Sequence, residues 1–549
     1  MQTRICEHCS KEFTLGDGEL AMYKKIDLIL PTICFACSMA QKFAFWPLGK
    51  FRKGKSYLSG ESFITVLHEP ARYPIYTYRE WYSDMWDPVE FGQQYDPSRS
   101  FFEQWKELQE KVPRPHQVGE RSVGCDWCDD VWDSKNCYLC RSITHCEDIS
   151  YCNRCVRLKN STHCTFCFDL ENSYDCVNCL NSTNLQSSRN SQNMIDSMYC
   201  FDCRNCSNCF MCWNLRNASY MIRNVQYTKE EYQQELQKMN LASRSARTVL
   251  DDEFELHIKN DVRHRQNFNL KTQDSEGEYL LGCNRARNSF HWQESEDIFN
   301  CLRGLKCKSC IDMLGTWLQE FCGNNSCCTG GHNLKYSLWS DGVDSEYLDL
   351  CTECTHCFGC VGLRNKKYCI LNMQYTKDEY EMLKKKIINN MKDGDEYGKF
   401  APYTMGLVPY NRTMGAVYMP SVTKEFIASH GGYWDEADLS QTDGQSPDWL
   451  PDSVFDATEE ITKLPLICPV THFKFNIAAH ELQFYQRFNI PLPKFHPDHR
   501  TINQYRPMIS INKYHYNCDQ CKKGIETYYP PELGYQYILC VDCYQREVA

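Results

Sequence analysis

Residues 200–212 read CFDCRNCSNCFMC, five cysteines each three residues from the next. The spacing continues far upstream. It begins Cys125, Cys128, Val131, Ser134, Cys137, Cys140, Ile143, Cys146, Ile149, Cys152, Cys155. It passes through Leu158, Cys164, Cys167, Leu170, Cys176, Cys179, Leu185, Ser188, Ser191, Met194 and Ser197, and ends near Leu215. The residues between are mostly Asn, Asp, Arg, Tyr and Thr. A helix repeats every 3.6 residues and a flat strand every 2, so neither produces this period. A narrow β-solenoid with four inward residues per coil of about 12 does. Cys, Ser and Ala suit its thin core, where larger side chains are not expected to fit. Asn160, Asn172 and Asn190 are candidate corner residues, because asparagine tolerates tight turns.

A run of CxxC units also suits an iron–sulfur cluster or an extra metal. Yet the run keeps phase with Leu158, Leu170 and Met194, which bind nothing, so interior packing explains it. The block then recurs 148 residues later. Cys203, Cys206, Cys209 and Cys212 return as Cys351, Cys354, Cys357 and Cys360, and Gln226 to Lys229 return as Gln374 to Lys377. Upstream, Cys283, Cys301, Cys307, Cys310, Cys322, Cys327 and Cys328 keep a looser version, with a slip near residue 346. This is an internal duplication. Each copy ends in a helix, about 229–240 and 377–392, opened by the capping boxes Thr228/Glu231 and Thr376/Glu379. Such helices would cover an open sheet edge.

The chain ends carry a different cysteine pattern. Cys518-x2-Cys521 and Cys540-x2-Cys543, and likewise Cys6-x2-Cys9 and Cys34-x2-Cys37, are paired hooks. Four thiolates in two hooks match structural zinc, and such closed sites leave no position for substrate. Residues 5–37 also align without a gap on residues 467–499. In that alignment Cys6 meets Cys468, Cys9 meets Thr471, Cys34 meets His496 and Cys37 meets His499. With His472 beside the lost position, Cys468, His472, His496 and His499 form a third candidate zinc site. The alternative is a ribbon that has lost its metal and survives on packing.

Composition bounds the rest. The chain has 549 residues, 37 cysteines, 42% hydrophobic and 24% charged residues, and a formal net charge of −11. No apolar run approaches the ~18 residues of a membrane span. Met1 to Cys6 lacks the apolar core of a secretory signal, so a cytoplasmic, reducing setting is expected, where cysteines bind metal or pack as thiols. The acidic balance argues against coating nucleic acid along the whole chain, although both ends are mildly basic. No P-loop, GxGxxG after a strand, GxSxG or HExxH is present.

Several stretches resemble known proteins. The twelve-residue spacing resembles small cysteine-laddered antifreeze β-solenoids, but regular outward Thr rows are missing and ice binding is not carried over. Phe358 to Lys366, Gln374 to Tyr380, Trp86 to Pro88, Phe101 to Gln104, Pro409 to Thr413, Glu481 to Tyr485 and Cys518 to Tyr544 together resemble a family of uncharacterised cysteine-rich zinc-ribbon proteins. That family is found mainly in small-genome bacteria. The resemblance spans nearly the whole chain and implies no activity. Its penultimate ribbon is usually rich in CxxC, whereas Thr471, His496 and His499 stand here.

The expected fold is therefore mainly β: two tandem cysteine-cored β-solenoids, each followed by a capping helix, flanked by N- and C-terminal zinc ribbons. The expected segments are a ribbon (1–60), an aromatic-rich region (61–118), two solenoids with their helices (119–245 and 246–392), an acidic connector (393–460), a degenerate ribbon (461–512) and the last ribbon (513–549). The aromatics of 65–106 read as core, with a base-stacking or protein-binding surface as the sharper alternative. The expected function is a non-enzymatic zinc-binding scaffold within a larger assembly of protein partners, holding two zinc ions and, with the histidines, a third. RNA or DNA binding through the basic ends is the first alternative, and an iron–sulfur or redox protein the second.

Overall fold

The computed structural model describes residues 1–48, 51–436, 444–508 and 510–548, apart from scattered positions between 126 and 148 and the stretches 151–157 and 160–186. Cys140 and the members of the period-three series from Cys152 to Leu185, Leu158 excepted, lie outside the described residues, as do Asn160 and Asn172. Helix and strand each account for about 28% of the structure, so the excess of strand expected from the repeats is offset by helices elsewhere.

The chain folds as two units, neither continuous in sequence. One joins Met1–Gln117 to Asn267–Asp435, and the other joins Val118–Gln266 to Glu436–Ala549. The N-terminal ribbon thus belongs with the second repeat, and the C-terminal ribbons with the first. The helix Arg244–Asn260 lies in the unit of the first repeat.

Both repeats are parallel ladders in which residue i pairs with i+12. In the first, Met194 pairs with Cys206, Cys200 with Cys212 and Cys209 with Met221. In the second, a 10-stranded sheet includes Gly277–Leu281 and Cys354–Thr355, with Phe290 opposite Leu302 and Ile298 opposite Cys310. The three-residue period has a backbone origin. Asn190, Asn193, Asp196, Tyr199, Asp202, Asn205, Asn208, Met211 and Asn214 all have φ between 46° and 55°. Each of these left-handed residues turns the chain just before an inward side chain, and Asn and Asp tolerate that region best. Eight of the nine residues that follow, Ser191, Met194, Ser197, Cys200, Cys203, Cys206, Cys209 and Cys212, are buried, and Leu215 is half-buried.

The slip expected near residue 346 falls a little earlier. Leu334 pairs with Ser345, eleven residues on, while Gly342 pairs with Cys354, twelve on. One residue is missing from that turn of the ladder. A large side chain does enter the thin core: Trp292 is wholly buried. It fits because Gly304 stands one step along, where a Cβ would lie 2.2 Å from the indole.

Each ladder ends in the same way, which explains the 148-residue duplication. Val225–Gln226 pairs antiparallel with Ser219–Ile222, and Met373–Gln374 with Cys369–Ile370. The Gln226 amide donates to the carbonyls of Ser219, Tyr220 and Tyr227, and the Gln374 amide to those of Lys367, Tyr368 and Tyr375. The helices Lys229–Lys238 and Lys377–Asp393 follow, each opened by the expected capping box. Tyr232 and Tyr380 are buried from those helices against Tyr220 and Tyr368, at ring distances of 5.8 and 5.7 Å.

Within the first unit, the aromatic region packs as core on the ladder. Phe101 lies 5.2 Å from Tyr347 and 5.3 Å from Phe358, and Trp81 and Trp105 are buried. Arg114 clamps Asp349 with two hydrogen bonds of 2.7 and 3.1 Å, both side chains nearly inaccessible.

Candidate metal centres

The N-terminal ribbon opens with an antiparallel hairpin, Gln2–Ile5 against Glu12–Leu15. Its tight turn is the first hook. The Cys6 amide donates to Lys11 O (2.9 Å), and the Ser10 amide to Cys6 O (2.9 Å), with Ser10 in the left-handed region. The second hook begins a helix: Cys34 is the N-cap of Phe35–Phe43 and Cys37 lies in its first turn. The Glu7 amide donates to Thr32 O and ties the two hooks together.

The C-terminal ribbon repeats every one of these features. Tyr514–Asn517 pairs with Gly524–Thr527, Lys522 takes the left-handed turn, the Asp519 amide reaches Ile538 O, and Cys540 immediately precedes the helix Val541–Val548.

In each ribbon the four sulfurs lie within 4.8 Å of one another. Cys9 and Cys34 sulfurs are 3.8 Å apart, as are those of Cys521 and Cys540. A tetrahedron with arms of about 2.3 Å, the Zn–S length, has edges of about 3.8 Å. The donor set therefore fits a tetrahedral ion. Backbone N–H groups prepare the sulfurs for negative charge: Cys34 N donates to Cys6 Sγ and Cys540 N to Cys518 Sγ, both at 3.3 Å. The Cys34 thiol is pulled down to about 5, chiefly by hydrogen bonding with Cys37, whose own thiol the same bond pushes up. Burial works against ionisation of Cys518, yet the amides of Cys521, Cys540 and Gln520 pull it to about 6. Thiolates held this way can take a metal ion, and four protein ligands leave no open position for a substrate.

Residues 467–499 follow the N-terminal ribbon element for element, as the self-alignment predicted. Leu466–Ile467 pairs with Lys474–Phe475, the helix Ala479–Arg487 matches Asp17–Lys25, and His496 is the N-cap of Pro497–Tyr505. The ligands do not assemble, however. No three of Cys468, His472, His496 and His499 bring ligand atoms within 4.8 Å of one another. His472 takes the left-handed turn position of Ser10 and Lys522, its amide donating to Cys468 O, one residue past the ligand position held by Thr471. His496 Nδ1 is occupied as a helix cap, accepting from the Asp498 amide at 3.1 Å. His499 faces Asn503 at 3.0 Å.

The ladder cysteines behave differently from the ribbon ones. Cys200 Sγ donates to the carbonyls of Met198 and Cys209, Cys351 Sγ to those of Asp349 and Cys360, and Cys360 Sγ to those of Phe358 and Cys369. Donation requires a protonated thiol. Burial pushes Cys200, Cys301, Cys310 and Cys351 well above the ordinary thiol range, while hydrogen bonds with Cys200 and Cys351 pull Cys212 down to about 5 and Cys354 down to about 4. Serine serves in the same geometry, Ser191 Oγ meeting the carbonyls of Arg189 and Cys200. Among the described residues, no ladder cysteines gather into a metal-holding group. No described helix is long and apolar enough to cross a membrane.

Sequence reading missed that His472 stands at the left-handed turn and that His496 caps a helix; the signal was available in the position of Ser10 and Lys522, one residue after each complete hook. No protein-family model, no curated protein and no solved structure matches this chain.

Proposed function

We propose that the chain is a non-enzymatic zinc-binding scaffold, in which two β-solenoids of about twelve residues per coil carry ribbons that present binding surfaces to protein partners. The observation that carries this reading is the pair of four-sulfur groups with tetrahedral spacing and amide donors on their sulfurs. Such sites are structural by their chemistry. The solenoid reading is supported by the prevailing i to i+12 register, which slips to i+11 in places, and by the left-handed residue before successive inward side chains.

The ribbons are also fixed to the ladders inside their own units, as a scaffold requires. Tyr23 OH donates to buried Asp312 at 2.6 Å and Lys25 Nζ to Ser309 Oγ at 2.7 Å. In the other unit, Arg216 donates to Tyr544 OH at 2.7 Å, and His264–Arg265 pairs in parallel with Ile538–Leu539.

Elemental analysis of the purified chain tests the proposal. Two zinc ions per chain and no iron are expected; iron with visible absorbance would replace this reading with an iron–sulfur one. Binding of generic RNA that weakens steeply with salt would instead favour the nucleic-acid alternative, because phosphate contacts release counterions.

A further inference from the structure

Residues 52–81 contain no cysteine, yet they fold as the two metal ribbons do. Arg52–Lys55 pairs antiparallel with Ser62–Thr65. In the turn between them, the Ser56 amide donates to Glu61 O at 2.8 Å and the Gly60 amide to Ser56 O at 2.9 Å. These are the bonds made by Cys6 and Ser10 in one ribbon and by Cys518 and Lys522 in the other. Gly60 takes the left-handed turn, φ 77°, as Ser10 and Lys522 do.

The tie between hooks recurs as well. The Tyr57 amide donates to Ile75 O at 3.0 Å, matching Glu7 to Thr32 and Asp519 to Ile538, each at 3.0 Å. Thr77 is then the N-cap of the helix Tyr78–Trp81, as Cys34 is of its own helix. Residue for residue, Ser56, Ser59, Thr77 and Glu80 stand at the four ligand positions.

Their side chains converge as ligands would, but on one another. Glu80 Oε2 accepts from Ser56 Oγ at 2.5 Å, from Thr77 Oγ1 at 2.9 Å and from the Thr77 amide at 2.7 Å, while Oε1 is buried without a hydrogen-bond partner. The Leu58 and Ser59 amides donate to Ser56 Oγ, as the Gln520 and Cys521 amides do to the Cys518 sulfur. Glu80 is only 4% exposed.

We propose that residues 52–81 are a fourth ribbon in which the Glu80 carboxylate, bonded by the hydroxyls of Ser56 and Thr77, replaces the metal ion and joins the two hooks without one. A carboxylate oxygen accepting several donors links side chains from both hooks through charge-assisted bonds. Burial opposes its charge, yet those donors hold the Glu80 carboxyl down to about 2. Each unit accordingly holds one four-cysteine ribbon and one ribbon that lacks that set, in mirrored order along the chain. This replacement is independent of which metal the cysteine ribbons hold.

Hydrogen exchange and metal counting on the full chain test it. In the metal-loaded protein, Glu80→Gln is expected to speed amide exchange in residues 52–81 by about tenfold or more, the cost of weakening bonds to a charged group, while both metal ions stay bound. The fourfold variant S56C/S59C/T77C/E80C is expected to raise zinc from two ions per chain to three. Unchanged exchange in Glu80→Gln, or a third metal ion in the unmodified protein held by residues 52–81, would overturn the proposal. So would a fourfold variant that folds and still holds two ions. If that variant does not fold, the Glu80→Gln exchange pattern decides alone.

Discussion

The ribbons and the ladders use one residue and one spacing for opposite chemistry. Both present cysteines three apart. In the ribbons, sulfur accepts hydrogen bonds from backbone N–H groups, as at Cys6 and Cys518, and is prepared to be a thiolate. In the ladders, sulfur donates to carbonyls two residues before and nine residues after it, as at Cys200 and Cys351, and is a thiol there, although Cys322 also accepts from the Leu334 amide. Spacing alone therefore does not assign a cysteine to metal. What differs is the partner the local backbone mainly offers, and that depends on the turn: a hairpin knuckle in one case, a left-handed corner every third residue in the other.

The largest effect expected from this contrast follows removal of ribbon ligands. Bound zinc contributes about 10–16 kcal/mol in small ribbons, where binding and folding are one event. Cys518→Ser with Cys521→Ser should take the metal count from two to one and abolish exchange protection across Tyr514–Val548. Retention of two ions would break the assignment. Chelation should expose the eight ribbon thiols to alkylation under native conditions while the ladder thiols stay slow, since buried protonated sulfur is a poor nucleophile.

An intermediate effect is expected from the ladder's packing. Gly304→Ala sets a methyl 2.2 Å from the Trp292 ring, and overpacking of this kind costs about 1–3 kcal/mol. Denaturant unfolding should show that loss with the metal count unchanged. A neutral result would mean that the indole has room to move, and that the core is wider than its register implies.

Much of this contrast was legible beforehand, because it is written in periods. The three-residue phase, the 148-residue duplication, both capping boxes and both four-cysteine sets lie in local spacing. The third ribbon was legible through self-alignment, since Phe13, Glu19 and Tyr23 have counterparts in Phe475, Glu481 and Tyr485. Its ligands were not, because whether His472 can reach the site depends on a turn one residue long. The division into two discontinuous units was hidden for another reason. It rests on contacts such as Tyr23 with Asp312 and Arg114 with Asp349, 289 and 235 residues apart, which leave no periodic trace. The hydroxyl and carboxylate hooks at Ser56 and Glu80 were the least visible, since Ser, Thr and Glu at these spacings are common in any loop and helix cap.

The smallest effect makes the sharpest test. Cys200→Ser replaces a ladder sulfur by a hydroxyl that can donate to the same carbonyls of Met198 and Cys209, as Ser191 already does one corner-set away. The exchange should cost only about 1 kcal/mol, the scale of one altered hydrogen bond, and leave two metal ions per chain. The same substitution at Cys518 removes a ligand. If Cys200→Ser lost an ion, or destabilised the chain as severely as the ribbon variant, the ladder thiols would be ligands after all. If it is silent, then Cys and Ser are interchangeable inside the ladder, as their mixed use at successive inward positions already implies, and only the backbone around each hook distinguishes a metal-binding cysteine from a packing one.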